Sequence, residues 1–265
     1  MRNEISASRA LEAFLLGALD SGTSLVLDGS LVEHLGHVVD QEQCTSRSAE
    51  DYLRDAFTSE QPELLDFGCG TAGHRPMLEH IGYNWRGINY RGGMAPGAAV
   101  SAASDPSIEF YDGLYLPYED QTFDVVYSYL TFQCLQRIDI SFSELKRVLK
   151  PGGRLIGSVG YMEQMQDYTA YNYTPYGFKF SCDQAGLTLT KISAGNDIFT
   201  YIFRRLFVVT SGSDENSLTS TLFAENTIGK SFVAYGSRLG LSARDVNLLR
   251  LQFSTNFNFE ARRMS

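Results

Sequence analysis

Positive charge is in short supply in this 265-residue chain: 22 Lys and Arg stand against 31 Asp and Glu, for a formal net charge of -9. With no long basic run, nucleic acid and anionic membranes are disfavoured as main partners. The four cysteines (Cys44, Cys69, Cys134, Cys182) are scattered and form no C-x-x-C pair. Reduced thiols in a cytoplasmic protein are the simplest reading of that spacing. No apolar run is long enough to span a bilayer: the patch from Leu11 to Leu19 is interrupted by Glu12, and Glu4 precedes it. It reads as the buried face of a helix rather than a signal peptide. No internal repeat is visible. The 43% hydrophobic content suffices for a sizeable core, and the length allows one elaborated domain or two small ones.

What is present is concentrated at Leu64-Leu65-Asp66-Phe67-Gly68-Cys69-Gly70-Thr71-Ala72-Gly73. Apolar residues lead into an acid and then three glycines in G-x-G-x-x-G spacing, as in a buried strand that turns tightly into a helix. The familiar reading is a dinucleotide site with pyrophosphate on the helix N-terminus. Asp66 opposes it, since a carboxylate there repels pyrophosphate and suits a cationic ligand. S-adenosyl-L-methionine (SAM), with an ammonium and a sulfonium and no phosphate, is such a ligand.

At these residues the chain resembles the class I SAM-dependent methyltransferases, with a type 11-like domain. Three later segments extend the resemblance. Trp85 to Asn89 is a second strand, ending in Asn89 where the family carries an acid on the ribose hydroxyls; nearby Arg91 keeps a 2′-phosphate, and so NADP, as a rival. Ile108 to Tyr111 is a third strand, followed by Asp112-Gly113, which matches the family's adenine-binding acid and the backbone N–H after it. Asp124 opens a fourth strand that delivers Ser128, Tyr129 and Leu130 at its carboxyl end. An amphipathic helix over Ile138 to Leu149 ends at Lys150-Pro151-Gly152-Gly153 and leads to a fifth strand, Arg154 to Val159.

The resemblance implies an α/β fold: a doubly wound, Rossmann-like, seven-stranded and mostly parallel sheet. An N-terminal helical extension (1–60) precedes the SAM-binding domain (61–265), and a helical insertion (194–250), a lid or homodimer surface, precedes the last antiparallel strand, read over Leu251 to Ala261. It implies SAM as cofactor and S-adenosyl-L-homocysteine as product. Asp66, Gly68, Cys69, Gly70, Asn89, Tyr90, Asp112, Gly113, Leu114, Ser128 and Tyr129 are the cofactor-binding candidates. Many relatives place a His soon after the fourth strand; Thr131-Phe132-Gln133-Cys134 has none. Glu163, Tyr129 and Asp167 are then the candidates for assisting transfer, unless no base is used. Tyr161, Tyr168, Tyr173 and Tyr176 are candidates for a substrate wall; Pro175 opens a helix running to Ala185, with Tyr176, Phe180 and Ala185 inward.

The implied activity is transfer of the SAM methyl to an oxygen, less readily a nitrogen or carbon, of a small molecule or glycan precursor. The alternative is a non-methylating SAM binder, either a cyclase or a partner-binding module. His34-x-x-His37 with Asp40 has helical spacing, but no further ligand cluster supports a metal there.

Overall fold

The computed structural model describes residues 13, 17, 27, 29–58, 61–90, 92, 101–163, 168–202, 205 and 227–264. Most of the expected helix through Leu19, together with Arg91 and Asp167, lies outside them. In chain order the elements are α1 (Gly29–Leu35), α2 (Ala49–Ala56), β1 (Glu63–Phe67), α3 (Arg75–Ile81), β2 (Asn84–Tyr90), β3 (Ile108–Tyr111), β4 (Phe123–Tyr129), α4 (Ile138–Val148), β5 (Leu149–Gly160), α5 (Pro175–Ala185), β6 (Leu187–Ala194), α6 (Thr227–Arg238), α7 (Ala243–Gln252) and β7 (Asn256–Arg263).

The strands form one sheet in the order β3-β2-β1-β4-β5-β7-β6. β1 pairs in parallel with β2 and β4, β2 with β3, and β4 with β5. The order reverses between β1 and β4, where open α/β sheets leave a crevice at their carboxyl edge. Contacts divide the chain into two compact units, one of residues 47–192 with 257–265 and one drawn from 1–46 with 193–256.

In the first unit the sheet is buried on both faces. Leu64, Trp85, Val125, Tyr127 and Ile156 pack with Tyr52 and Leu53 of α2, a helix whose Ser48–Asp51 capping box satisfies its first N–H groups. Pro76 is tolerated because it falls in the first turn of α3. The other face is aromatic. Phe178 of α5 lies 5.2 Å from Phe132, 5.6 Å from Phe142, 5.7 Å from Phe257 and 4.4 Å from Phe259 between ring centroids. Glu260 of β7 is fully buried and holds Arg154, Arg262, Lys191 and Thr190 around it. Although burial pushes its pKa up, those partners leave it below the ordinary glutamate value.

Three boundaries differ from the sequence expectation. The inward face of α5 is Pro175, Phe178 and Cys182, while Tyr176 and Phe180 are 48% and 54% exposed. Aromatic residues occupy both stripes of this helix, so periodicity alone did not choose between them; the surrounding phenylalanines do. β5 begins at Leu149, which pairs with Phe123, and a register irregularity absorbs Pro151 to Gly153. The last strand begins at Asn256, because Leu251 belongs to the buried side of α7.

In the second unit α7 is the centre. Asn247 donates to the carbonyls of Asp40 and Gln43, at 3.0 and 2.8 Å, and Arg250 donates to the Cys44 carbonyl and the Ser46 hydroxyl. Phe253 stacks on Phe232 and Phe199. α1 ends at Leu35, so His34 and His37 do not share one helix, and Asp40 accepts from the backbone N–H groups of Glu42 and Gln43. Among the described residues no group of three or more His, Cys, Asp or Glu side chains is placed to hold a metal. None of the described helices is long and apolar enough to cross a membrane.

Phe178→Ala is expected to cost about 3–5 kcal/mol in urea unfolding, and Phe180→Ala under about 1 kcal/mol. Equal losses would place the wrong face inward.

Candidate active site at the carboxyl edge of the sheet

The glycine turn begins where β1 ends. Gly68, Gly70 and Ala72 take positive φ angles of 77°, 58° and 60°, a conformation that glycine adopts without strain and alanine does not. Gly68 is required for a second reason: a Cβ there would fall 2.3 Å from Thr131. Gly70 and Gly73 face open space, since a Cβ on either meets nothing within 4 Å.

The turn is tied to β2 by Asn89. This side chain is 2% exposed. Its Oδ1 accepts from the N–H of Gly70 at 2.9 Å and its Nδ2 donates to the Gly70 carbonyl at 2.7 Å. Both ends of the amide therefore bond one glycine, each with a further hydrogen-bonding valence left. An acid at this position lacks the donor and would set a carboxylate oxygen against a carbonyl. The residue expected to meet ribose also braces the glycine turn.

Asp66 is also internal. It is 1% exposed, and its Oδ2 accepts from Nε1 of Trp85, the only tryptophan, at 3.1 Å. Burial raises its pKa to about 7, with the indole bond pulling the other way. Cys69 is buried beside it, and burial pushes the thiol up to about 12, so it is no nucleophile at neutral pH.

Asp112 stands on the rim. Its Oδ1 accepts from the N–H groups of Leu114 and Tyr115 at 2.7 and 2.9 Å, which hold its pKa below the usual range. It is exposed, not a buried acceptor. Gly113 has φ of 86°, and a Cβ there would lie 2.7 Å from the Tyr90 ring. Tyr90 therefore lies flush against the Asp112–Gly113 turn, with Leu114 half-buried next in line.

At the end of β4, Ser128 is fully buried and its hydroxyl has no partner among the described residues. Tyr129 is 39% exposed, and Leu130 follows in a left-handed conformation with φ of 51°, a strained state for leucine that recurs at functional turns. The His74 ring sits 4.7 Å from that of Tyr129 and 5.5 Å from that of Tyr127. Sequence reasoning sought a histidine after β4 and missed this one, which arrives from the glycine turn; its place directly after Gly73 was the available signal. Burial lowers its pKa, so the imidazole is neutral.

Glu163, beyond β5, is half-buried, and burial alone raises its pKa to about 7. Its charge reaches Tyr129, whose own pKa is raised by burial and then by Glu163. A side chain built on Gly160 would come within 3.1 Å of Glu163 Oε2 and 3.4 Å of Gln133 Nε2, so these two side chains pack over the bare backbone of Gly160. Of the candidate wall residues, Tyr173 is 6% exposed, Tyr161 half-buried, and Tyr168 and Tyr176 are 53% and 48% exposed. Glu163, Tyr129 and Tyr161 are brought to one edge; Tyr176 is not directed into the fold.

The residues fit a SAM-sized ligand. The open side of Gly70 and Gly73, the Tyr90–Gly113 contact, the exposed Asp112 and the unsatisfied Ser128 hydroxyl all belong to the carboxyl-edge segments around β1 to β4.

Comparison with known proteins agrees. Residues 65–157 match the methyltransferase domain family. The chain is 31% identical over 107 residues to the sterol 4-C-methyltransferase strm-1 of Caenorhabditis elegans, covering 37% of this chain and 31% of that protein. It is 30% identical over 152 residues to the chloroplastic tocopherol O-methyltransferase of Arabidopsis thaliana, covering 53% and 41%. The chain thus spans less than half the length of these curated relatives. Among solved structures, the [4+2]-cyclase SpnF shares the fold at 16% identity and TM-score 0.53, over 97% of this chain and 96% of that one.

Two outcomes follow. Asn89→Ala strips two hydrogen bonds from Gly70 and is expected to lower stability by about 1–3 kcal/mol, with Asn89→Asp failing to restore it; unchanged thermal midpoints would show the brace to be dispensable. Asp66 binds a proton more tightly folded than unfolded, so stability falls as pH rises from about 4 to about 7, by on the order of 4 kcal/mol. Asp66→Asn keeps an acceptor for Trp85 and should flatten that dependence in urea midpoints measured at pH 4.5 and pH 8.

Proposed function

We propose, from the premise that residues 65–157 belong to the class I SAM-dependent methyltransferases, that this chain moves the SAM methyl to a hydroxyl oxygen of a small molecule or glycan precursor. The observation that carries this reading is the His74 ring set 4.7 Å from that of Tyr129 beside the glycine turn, with half-buried Glu163 near enough to raise the Tyr129 pKa. When bound, SAM supplies an electrophilic methyl whose bond to sulfur breaks as the acceptor oxygen takes it, the electron pair staying on sulfur.

The rest is done by the chain. Gly68 to Gly73 and the Asp112–Gly113 turn hold the cofactor through backbone and rim contacts. Tyr129 and His74 wall the point of transfer and exclude water. Holding the oxygen in line within about 3 Å supplies most of the acceleration. Glu163 accepts the hydroxyl proton on a carboxylate oxygen, and a base with pKa near the working pH is well matched to that task.

The second reading, a SAM-binding cyclase or partner-binding module, draws on the absence of a histidine at Thr131 to Cys134 and on a shared fold with a cyclase. The NADP reading rested on Arg91, which lies outside the described residues.

Calorimetry should show SAM and S-adenosyl-L-homocysteine binding and no NADPH binding. Labelled methyl should then appear in hydroxyl acceptors at a rate that rises with pH through about 7. Glu163→Gln should remove that rise and lower kcat by about 10²–10⁴ without changing SAM affinity. SAM that binds and is never turned over would transfer the assignment to the second reading.

A further inference from the structure

Residues 112–122, which join β3 to β4, contain no helix or strand, yet they carry the Asp112–Gly113 turn of the proposed cofactor rim. Backbone outside regular structure must find its hydrogen bonds elsewhere. Here two carboxylates take three consecutive N–H groups. Leu114 and Tyr115 donate to Asp112, and Leu116 donates to Oε2 of Glu144 on α4 at 2.8 Å.

Arg147, one turn further along α4, completes the hold. All five N–H donors of its guanidinium are engaged. Nε and Nη2 meet Oε1 and Oε2 of Glu144 at 2.8 and 2.7 Å. Nη2 also donates to the Leu116 carbonyl at 3.0 Å, and Nη1 donates to the Tyr118 carbonyl and to Asp120 Oδ1 at 2.7 and 2.9 Å. Leu116, 5% exposed, is thus gripped at both its N–H and its carbonyl. Glu144 is buried too, and the Arg147 guanidinium holds its carboxyl below the ordinary glutamate value, so it stays ionised. The end of α4 is fixed in turn. Arg263 of β7 donates to the carbonyls of Lys146, Arg147 and Leu149, at 3.0, 3.2 and 2.6 Å.

We propose that Glu144 and Arg147 are positioning residues for the cofactor: by gripping Leu116, directly after the Asp112 turn, they hold the Asp112–Gly113 rim in the shape that SAM meets. This rests on the methyl-transfer reading for the identity of the ligand, and on the hydrogen bonds alone for the hold on the loop. A loop ordered beforehand raises affinity, because binding has less left to order. Lysine cannot replace the arginine, since a single ammonium has no fork to span Glu144 and three loop oxygens.

The test compares Arg147→Lys, Glu144→Gln and, at an exposed acceptor, Asp120→Ala. The control is Lys150→Met, which breaks a 2.8 Å ion pair with Asp124 just beyond α4 and leaves residues 116–120 untouched. Calorimetry on the full chain should show S-adenosyl-L-homocysteine binding about tenfold or more weaker in Arg147→Lys and Glu144→Gln. Asp120→Ala should weaken it about two- to threefold, and Lys150→Met should leave it unchanged. KM for SAM should rise in the same order while kcat at saturation stays within about twofold of the parent. A purely structural role would instead lower the fraction of competent sites and leave their affinity as it was. In the unliganded chains, hydrogen exchange at the Leu114 and Tyr115 amides should quicken in Arg147→Lys and Glu144→Gln. Should either of these fail to fold, Asp120→Ala against Lys150→Met decides. Unmoved affinity in the folded variants, a fall in kcat alone, or unaltered exchange at Leu114 and Tyr115 overturns the positioning role while SAM binding by the parent chain stands. A parent chain that ignores both SAM and S-adenosyl-L-homocysteine overturns the methyl-transfer reading and, with it, the cofactor role of this pair, whatever the exchange shows.

Discussion

The bond pair between Asn89 and Gly70 is the constraint on which the candidate site depends. It joins the end of β2 to the turn after β1, the two strands beside the point where sheet order reverses. A glycine turn with three left-handed residues in five positions has a large set of alternative conformations. One side chain that satisfies both the donor and the acceptor of Gly70 selects among them. The amide is suited to this because it carries both functions at one end. Thr131 closes the same turn from the other side, over Gly68. The open faces of Gly70 and Gly73 are therefore held open by contacts on their far sides.

Burial raises two carboxylates to about 7, and their surroundings separate their roles. Asp66 is almost wholly enclosed, hydrogen-bonded to Trp85 and flanked by Tyr127 of the adjacent strand. It has no route to a substrate proton, and its raised pKa is a cost to stability at neutral pH. Glu163 is half-buried at the edge, over Gly160 and near enough to Tyr129 to raise that phenol's pKa. There the same physical cause yields a group that changes protonation in the range where a base is useful. Desolvation shifts both; access decides which shift can serve chemistry.

The sheet was legible because its strands are short apolar runs ended by turn residues, and the helices because their caps are explicit: Ser48 with Asp51, Thr174 before Pro175, and Gly186 after Ala185. The glycine turn and the Asp112–Gly113 turn were legible from spacing. What sequence could not rank was competition for the same polar atom. Asn89, read as a ribose contact from its place in the strand, also braces Gly70 through both ends of its amide. Asp112, read as matching an adenine-binding acid, is held at the surface by backbone N–H groups two and three residues on, as in Asx turns. The α5 stripe failed for a related reason, since Tyr176, Phe178 and Phe180 carry similar apolar weight, and Phe178 is the one buried among Phe132, Phe142, Phe257 and Phe259.

His74 shows how the fold gathers a site from elements far apart in sequence. A histidine placed after β4 would reach the edge by following its own strand. Here the imidazole comes from the residue that opens α3 and meets Tyr129 because β1 and β4 are neighbours in the sheet. The pairing Asp66↔Tyr127 brings the end of β1 alongside the end of β4, so residues that leave the two strands converge above them. The same reasoning applies across β4 and β5, where Ser128↔Gly157 and Tyr129↔Ser158 bring Gln133 and Glu163 over Gly160. Parallel pairing carries successive carboxyl ends to one edge, and the residues that matter are those that leave the strands together.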